Sequence, residues 1–108
     1  MKKLVLVSAI ALGLSANVNA EVVEKDTVWA ISQVAMVCSA VGLGEMSDDY
    51  FEMVGTIDDL IGRDYEPDPY IKSLGMKHST RAMFDPSICI SSYARATLTV
   101  EQFAAQNS

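Results

Sequence analysis

Nine carboxylates lie between residues 45 and 68 of this 108-residue chain, and Arg63 is the single base among them. So many acids in a short segment could bind a metal ion, supply a catalytic acid–base pair or form a docking surface for a basic partner. In the segment that we interpret as the second helix, Asp48, Glu52 and Asp59 fall opposite an apolar stripe. Arg63 follows Asp59 by four residues, a spacing that favours a helical ion pair. The pattern indicates a helix with one solvated, strongly acidic face.

Metal and catalytic sites are weakly supported by the spacing of these acids. Residues 64–68 read DYEPD and alternate acids as a calcium loop does, but the glycine and the bidentate glutamate of such a loop are missing. Glu66 and Asp68 could form the carboxylate pair of a small secreted hydrolase, which we keep as an alternative. His78, the single histidine, has no acid within one helical turn, so we expect it in the core or at its boundary. We predict no metal, no cofactor and no catalytic residue.

The N-terminus has the pattern of a cleavable export signal. A basic MKK precedes the apolar run LVLVSAIALGL, and a polar SANVNA follows, with small residues at Val18 and Ala20. We predict that residues 1–20 are removed, which leaves residues 21–108 of the 108-residue chain as a single domain of 88 residues. The predicted location is the periplasm or the extracellular space.

The net charge of the predicted mature chain disfavours two classes of binding partner. After removal of Lys2 and Lys3, six basic residues remain against 14 acidic ones, so the net charge is −8. A domain this acidic repels nucleic acid and anionic membrane surfaces, and we expect neither as a ligand.

Two cysteines, Cys38 and Cys89, are an even number for an oxidising compartment and allow one intramolecular pairing. They lack the Cys-x-x-Cys spacing of a redox pair, so a structural disulfide between the first and last helices is predicted.

Helical periodicity dominates the chain and predicts an all-α fold, a small bundle of four helices or of five short ones, stapled by the disulfide. The first helix is predicted at about residues 24–43. The second is predicted to start after an N-cap at Ser47 and to run to Ile61, where Gly62 closes it. The third and fourth are predicted to begin at Asp68-Pro69 and Asp85-Pro86, with candidate breaks at Gly75 and near residues 97–99.

The first helix carries no charge from residue 27 to residue 44. Besides its core stripe it has a second apolar row, Trp29, Met36 and Leu43, spaced seven residues apart. An all-round apolar helix is typical of a buried central element. The row could instead be a contact surface for a partner or for a second copy. A third hypothesis is a membrane-associated envelope or phage factor that uses residues 27–44, although the polar residues within them disfavour membrane insertion.

The general plan, an exported helical chain with fewer than 100 residues after cleavage and one long-range disulfide, resembles the small periplasmic acid-stress chaperones. The resemblance concerns the plan alone, and no site residue is carried over from it. It implies a chaperone-like protein whose carboxylates take up protons at low pH, after which apolar faces such as Trp29, Met36 and Leu43 open.

These observations favour a non-catalytic exported protein that binds another protein. One version is an inhibitor or immunity-type protein that presents Asp48, Glu52 and Asp59 to a basic partner. The other is the chaperone-like version, which uses the apolar face of the first helix. The acids of residues 45–68 are followed by four bases in residues 72–95, so homo-oligomerisation through opposite charges is a further hypothesis.

Overall fold

In the computed structural model, residues 22–107 are described, and this part of the chain forms four α-helices and no strand. The helices are α1 (Lys25–Ala40), α2 (Glu45–Ile61), α3 (Pro69–Phe84) and α4 (Ser87–Gln106). The predicted all-α fold with four helices is confirmed, and α3 and α4 are each continuous. The signal sequence predicted for residues 1–20 lies outside the described residues.

Helix α1 is the central element, because it contacts each of the other three helices. Its residues Val28, Ser32, Ala35 and Cys38 are buried and recur at the spacing that places side chains on one helix face. Helices α2 and α3 both pack along α1, and within the described range they have no direct packing against each other. The acidic α2 and the more basic α3 are therefore held apart by α1.

The predicted disulfide between Cys38 of α1 and Cys89 of α4 is confirmed. Both side chains are fully buried, and their Cα atoms are 5.7 Å apart. Tyr50 of α2 is buried beside them, with its hydroxyl donating a hydrogen bond to the backbone carbonyl of Cys89. Its ring meets that of Tyr93 edge to face, with centroids 5.3 Å apart. The bond and the tyrosine thus tie α1, α2 and α4 together.

Local sequence signals set most helix ends. Asp68 accepts a hydrogen bond from the backbone N–H of Tyr70 at 3.0 Å, and Pro69 is the first residue of α3. The carboxylate of Asp85 accepts from the hydroxyl of Ser87 at 2.6 Å, just where α4 starts. Gly62 ends α2 with a positive φ of 90° and donates its N–H to the carbonyl of Asp58. The boundaries at Asp68 and Gly62 agree with the sequence predictions, and α4 begins one residue later than predicted, at Ser87 with Pro86 as its N-cap.

The turn between α1 and α2 differs from the prediction. Helix α2 begins at Glu45, after Gly44 with a φ of 64°, so Ser47 lies inside its first turn and is not its N-cap. The hydroxyl of Ser47 accepts a hydrogen bond from the backbone N–H of Leu43 at 2.7 Å. Ser47 therefore stabilises the turn that precedes the helix. The change of chain direction between α1 and α2 occurs at Gly44, since glycine readily adopts a positive φ.

Gly75 does not break α3. It is buried where α3 crosses α1, and a Cβ added there would stand 2.8 Å from ring carbon Cζ3 of Trp29. The glycine therefore serves close packing of the two helices, which offsets its unfavourable helix propensity.

Candidate docking grooves

The acidic face predicted for α2 is present at the surface. Asp48, Glu52 and Asp59 are all exposed, and none of them forms a salt bridge with another described residue. The expected ion pair of Arg63 with Asp59 was wrong, because the Nε of Arg63 lies 3.6 Å from the carboxylate of Asp58. Gly62 ends the helix before Arg63, so the four-residue helical spacing no longer applies.

A groove with a volume of about 270 Å³ runs between α2 and α4 on this side of the molecule. Asp49 and Glu52 of α2 and Glu101 of α4 line it. Glu101 was missed by the sequence reasoning, because nothing local in α4 sets it apart from an ordinary solvated glutamate. Asp48 and Asp59 lie outside this groove, on the same acidic helix.

The groove combines these carboxylates with apolar lining from Met53, Tyr93 and Val100. Thr97 also lines it, and its buried hydroxyl oxygen has no hydrogen-bond partner within the described chain. A lysine or arginine side chain matches such a surface, because its hydrocarbon stem packs on apolar groups while its charged head meets the acids. Within residues 22–107, no group of three or more His, Cys, Asp or Glu side chains is placed to hold a metal ion.

The apolar row predicted for the first helix is not continuous, because α1 ends at Ala40 and not near residue 43, and Leu43 lies in the turn that follows. Trp29 is half-buried against Gly75 of α3, and Leu43 is half-buried against the core. Met36 is 46% exposed. Trp29 and Met36 line a second groove of about 260 Å³ between α1 and α2, and Leu43 is not part of its lining. The three residues therefore do not form one open surface in this conformation.

Glu66 and Asp68, the carboxylates considered for a hydrolase, each have a structural contact. The carboxylate of Glu66 lies 3.6 Å from the Nζ of Lys72, and Asp68 caps α3. His78, expected in the core or at its boundary, is exposed, and it borders a cleft that α1 and α4 also line.

No family model matches the chain. No curated protein and no solved structure matches it significantly either. No helix in the described part of the chain is long and apolar enough to cross a membrane.

Proposed function

We propose that this chain is an exported, non-catalytic protein that binds a basic partner protein through the α2–α4 groove, as an inhibitor or immunity-type protein does. One observation carries the proposal. Glu101 of α4 joins Asp49 and Glu52 of α2 around one concave surface, and no lysine or arginine of residues 22–107 lines it. An acidic helix face that serves only solvation requires no carboxylate from a second helix.

The apolar lining gives the groove a means of holding a side chain as well as attracting it. Exposed charges at an interface mainly raise the association rate and the specificity, and they contribute modestly to affinity. The stem of an arginine on Met53, Tyr93 and Val100 would add burial of apolar surface, which charge alone does not supply. We therefore expect an arginine or lysine of the partner to be the anchor of the complex.

The test uses the protein expressed from its full-length sequence, immobilised and exposed to the extracytoplasmic fraction of its own host. Glu52→Gln/Glu101→Gln removes two groove charges, and Glu24→Gln/Asp64→Asn removes two exposed charges outside the groove. We expect the groove variant to retain its partner at least tenfold less strongly and the control to retain it within twofold of the unsubstituted protein. About 0.5 M salt should release the partner, because the Debye length at that concentration is only about 4 Å.

Equal retention by both double variants would contradict the groove as the docking site. Failure to recover any partner at neutral pH would contradict the proposed function as a whole. A third variant, Asp48→Asn/Asp59→Asn, separates the groove from the rest of the acidic face, because neither residue lines the groove.

A chaperone-like protein is the second candidate, and a different observation favours it. Met83, Phe84 and Ile90, around the connection from α3 to α4, are 59%, 83% and 58% exposed. Large apolar side chains that are exposed close together are typical of protein contact sites. Capture of a client there should survive about 0.5 M salt, so the salt wash distinguishes this candidate from the acidic groove.

A further inference from the structure

A third concavity, with a volume of about 300 Å³, opens between α1 and α4, with α3 at its edge. Its apolar walls come from Ala30, Ile31 and Val34 of α1 and from Ala96 of α4. The sequence did not reveal it, because residues from all four helices contribute to the lining.

Three of the four hydroxyl groups in the described lining are already engaged, and Thr27 carries the fourth. The hydroxyl of Tyr50 donates to the backbone carbonyl of Cys89. Ser92 donates to the carbonyl of Ile88 at 2.7 Å, and Thr99 donates to the carbonyl of Arg95 at 2.9 Å. These side chains therefore present little free hydrogen-bonding capacity to the cleft. The interior is suited to a hydrocarbon segment and offers a polar ligand few partners.

Among the described residues, a single charged side chain lines the cleft, and it is basic. Arg95 of α4 lines the cleft, no aspartate or glutamate in the described part of the chain does, and the exposed imidazole of His78 on α3 adds a hydrogen-bonding group. Neither Arg95 nor His78 forms a salt bridge with another described residue. The overall charge of the chain does not lead one to expect a cationic group beside an apolar cleft, because the chain has 14 acidic and eight basic residues.

We propose that this cleft binds a small amphipathic anion, a straight-chain carboxylate of medium length. The tail would lie among Ala30, Ile31, Val34 and Ala96, and the carboxylate would pair with Arg95 and accept a hydrogen bond from His78. The volume is at the low end of the range for small-molecule sites, roughly 300–1,000 Å³, which fits one hydrocarbon chain better than a two-chain lipid.

The cleft is separate from the groove of the proposed function. The described residues that line the cleft and those that line the groove have no member in common, so none of the three groove carboxylates lines the cleft. Binding of a carboxylate can therefore fail while docking of a basic partner succeeds, and the reverse also holds.

The experiment is a calorimetric titration of the full-length-expressed protein with hexanoate, octanoate and decanoate. Each two-methylene step should raise the affinity about tenfold or more until the cleft is full, because a buried methylene contributes about 0.8 kcal/mol. Octyltrimethylammonium, which has a tail of the same length and a cationic head, should bind at least tenfold more weakly than octanoate.

Two arginine variants assign the head group. Arg95→Gln should weaken octanoate binding about tenfold, whereas Arg81→Gln, which removes an exposed arginine outside the cleft, should leave it within twofold. Amide chemical-shift changes on adding octanoate should be largest around Ile31, Val34 and Ala96. Affinity that does not depend on chain length, equal effects of the two variants, or shifts confined to other helices would each overturn the proposal.

Discussion

At the residue scale, Tyr50 shows how one side chain can join three helices. Its ring fills the space beside the disulfide, and its hydroxyl satisfies the backbone carbonyl of Cys89 on α4. Burial raises the pKa of Tyr50 above 10.0, and the hydrogen bond to Asp26 raises the pKa of Tyr65. Folding therefore favours the neutral form of both phenols.

The raised pKa of Tyr50 predicts that the folded protein loses stability at alkaline pH. A pKa raised by folding gives a stabilisation that is complete below the unfolded value of about 10 and is lost as the pH rises through the folded value. Tyr50→Phe should lower the free energy of unfolding by about 1 kcal/mol at pH 7, since it removes a buried hydrogen bond. Above pH 10 its stability should then fall less steeply than that of the unsubstituted protein. Urea unfolding between pH 7 and 11 measures both.

Tyr70 provides the control for this comparison, because its side chain is 68% exposed and Tyr70→Phe should leave the curve unchanged. Parallel pH curves for Tyr50→Phe and the unsubstituted protein would contradict the assignment of the alkaline loss to Tyr50.

Residue-level prediction from the sequence succeeded where the cause was local. Asp68 and Asp85 were identified as helix starts because capping depends on the next two or three residues. Glu101 was not identified, because its importance depends on the packing of α4 beside Asp49 and Glu52. The partner of Arg63 was wrong for a related reason, since the helix geometry used to infer it ends at Gly62.

At the element scale, the close contact between α1 and α3 depends on Gly75, because glycine has no side chain. Gly75 lets Trp29 approach the backbone of α3, and this explains why a helix with a central glycine remains continuous. The sequence supplied the helical periodicity of both segments, but glycine as a breaker and glycine as a packing residue have the same sequence pattern.

Replacement of this glycine should test the contact. Gly75→Ala should lower the free energy of unfolding by up to about 2 kcal/mol, because an overpacking cost of about 1–3 kcal/mol equals or exceeds the gain in helix propensity of about 1 kcal/mol. Gly55→Ala is the matched control in α2, where an added Cβ meets nothing within 4 Å, and it should stabilise the protein by about 0.5–1 kcal/mol. Urea unfolding of the two variants provides the comparison. Stabilisation of the protein by both substitutions would contradict the close contact between Trp29 and Gly75.

At the scale of the whole molecule, the disulfide closes most of the described chain into one loop. Cys38 and Cys89 are 51 positions apart in the sequence, and the loop encloses α2, α3 and the turns that flank them. This pairing was predictable, because two cysteines allow a single intramolecular bond and each falls in an apolar stripe. The grooves and the cleft were not predictable, because they arise from the angles at which α2, α3 and α4 lie on α1.

Removal of the bond should cost a large share of the total stability. For a loop of 51 residues the chain-entropy relation gives about 4 kcal/mol, against about 5–15 kcal/mol for a typical domain. Cys38→Ala/Cys89→Ala should therefore lower the free energy of unfolding by about that amount, as measured by thermal and urea unfolding. Reduction of the unsubstituted protein with dithiothreitol should give a similar loss, and a loss below about 1 kcal/mol by either route would contradict the role assigned to the bond.

Zero-length carbodiimide crosslinking in the native host, followed by mass spectrometry, tests the docking groove most directly. The reagent joins a carboxylate to a lysine amine that lies in contact with it, so each crosslink reports one carboxylate of this chain and one residue of the partner. We predict crosslinks from Asp49, Glu52 or Glu101 to one reproducible basic partner, and their loss at high salt. Crosslinks to partners that leave these three carboxylates unmodified, and that involve only acids outside the α2–α4 groove, would contradict the account.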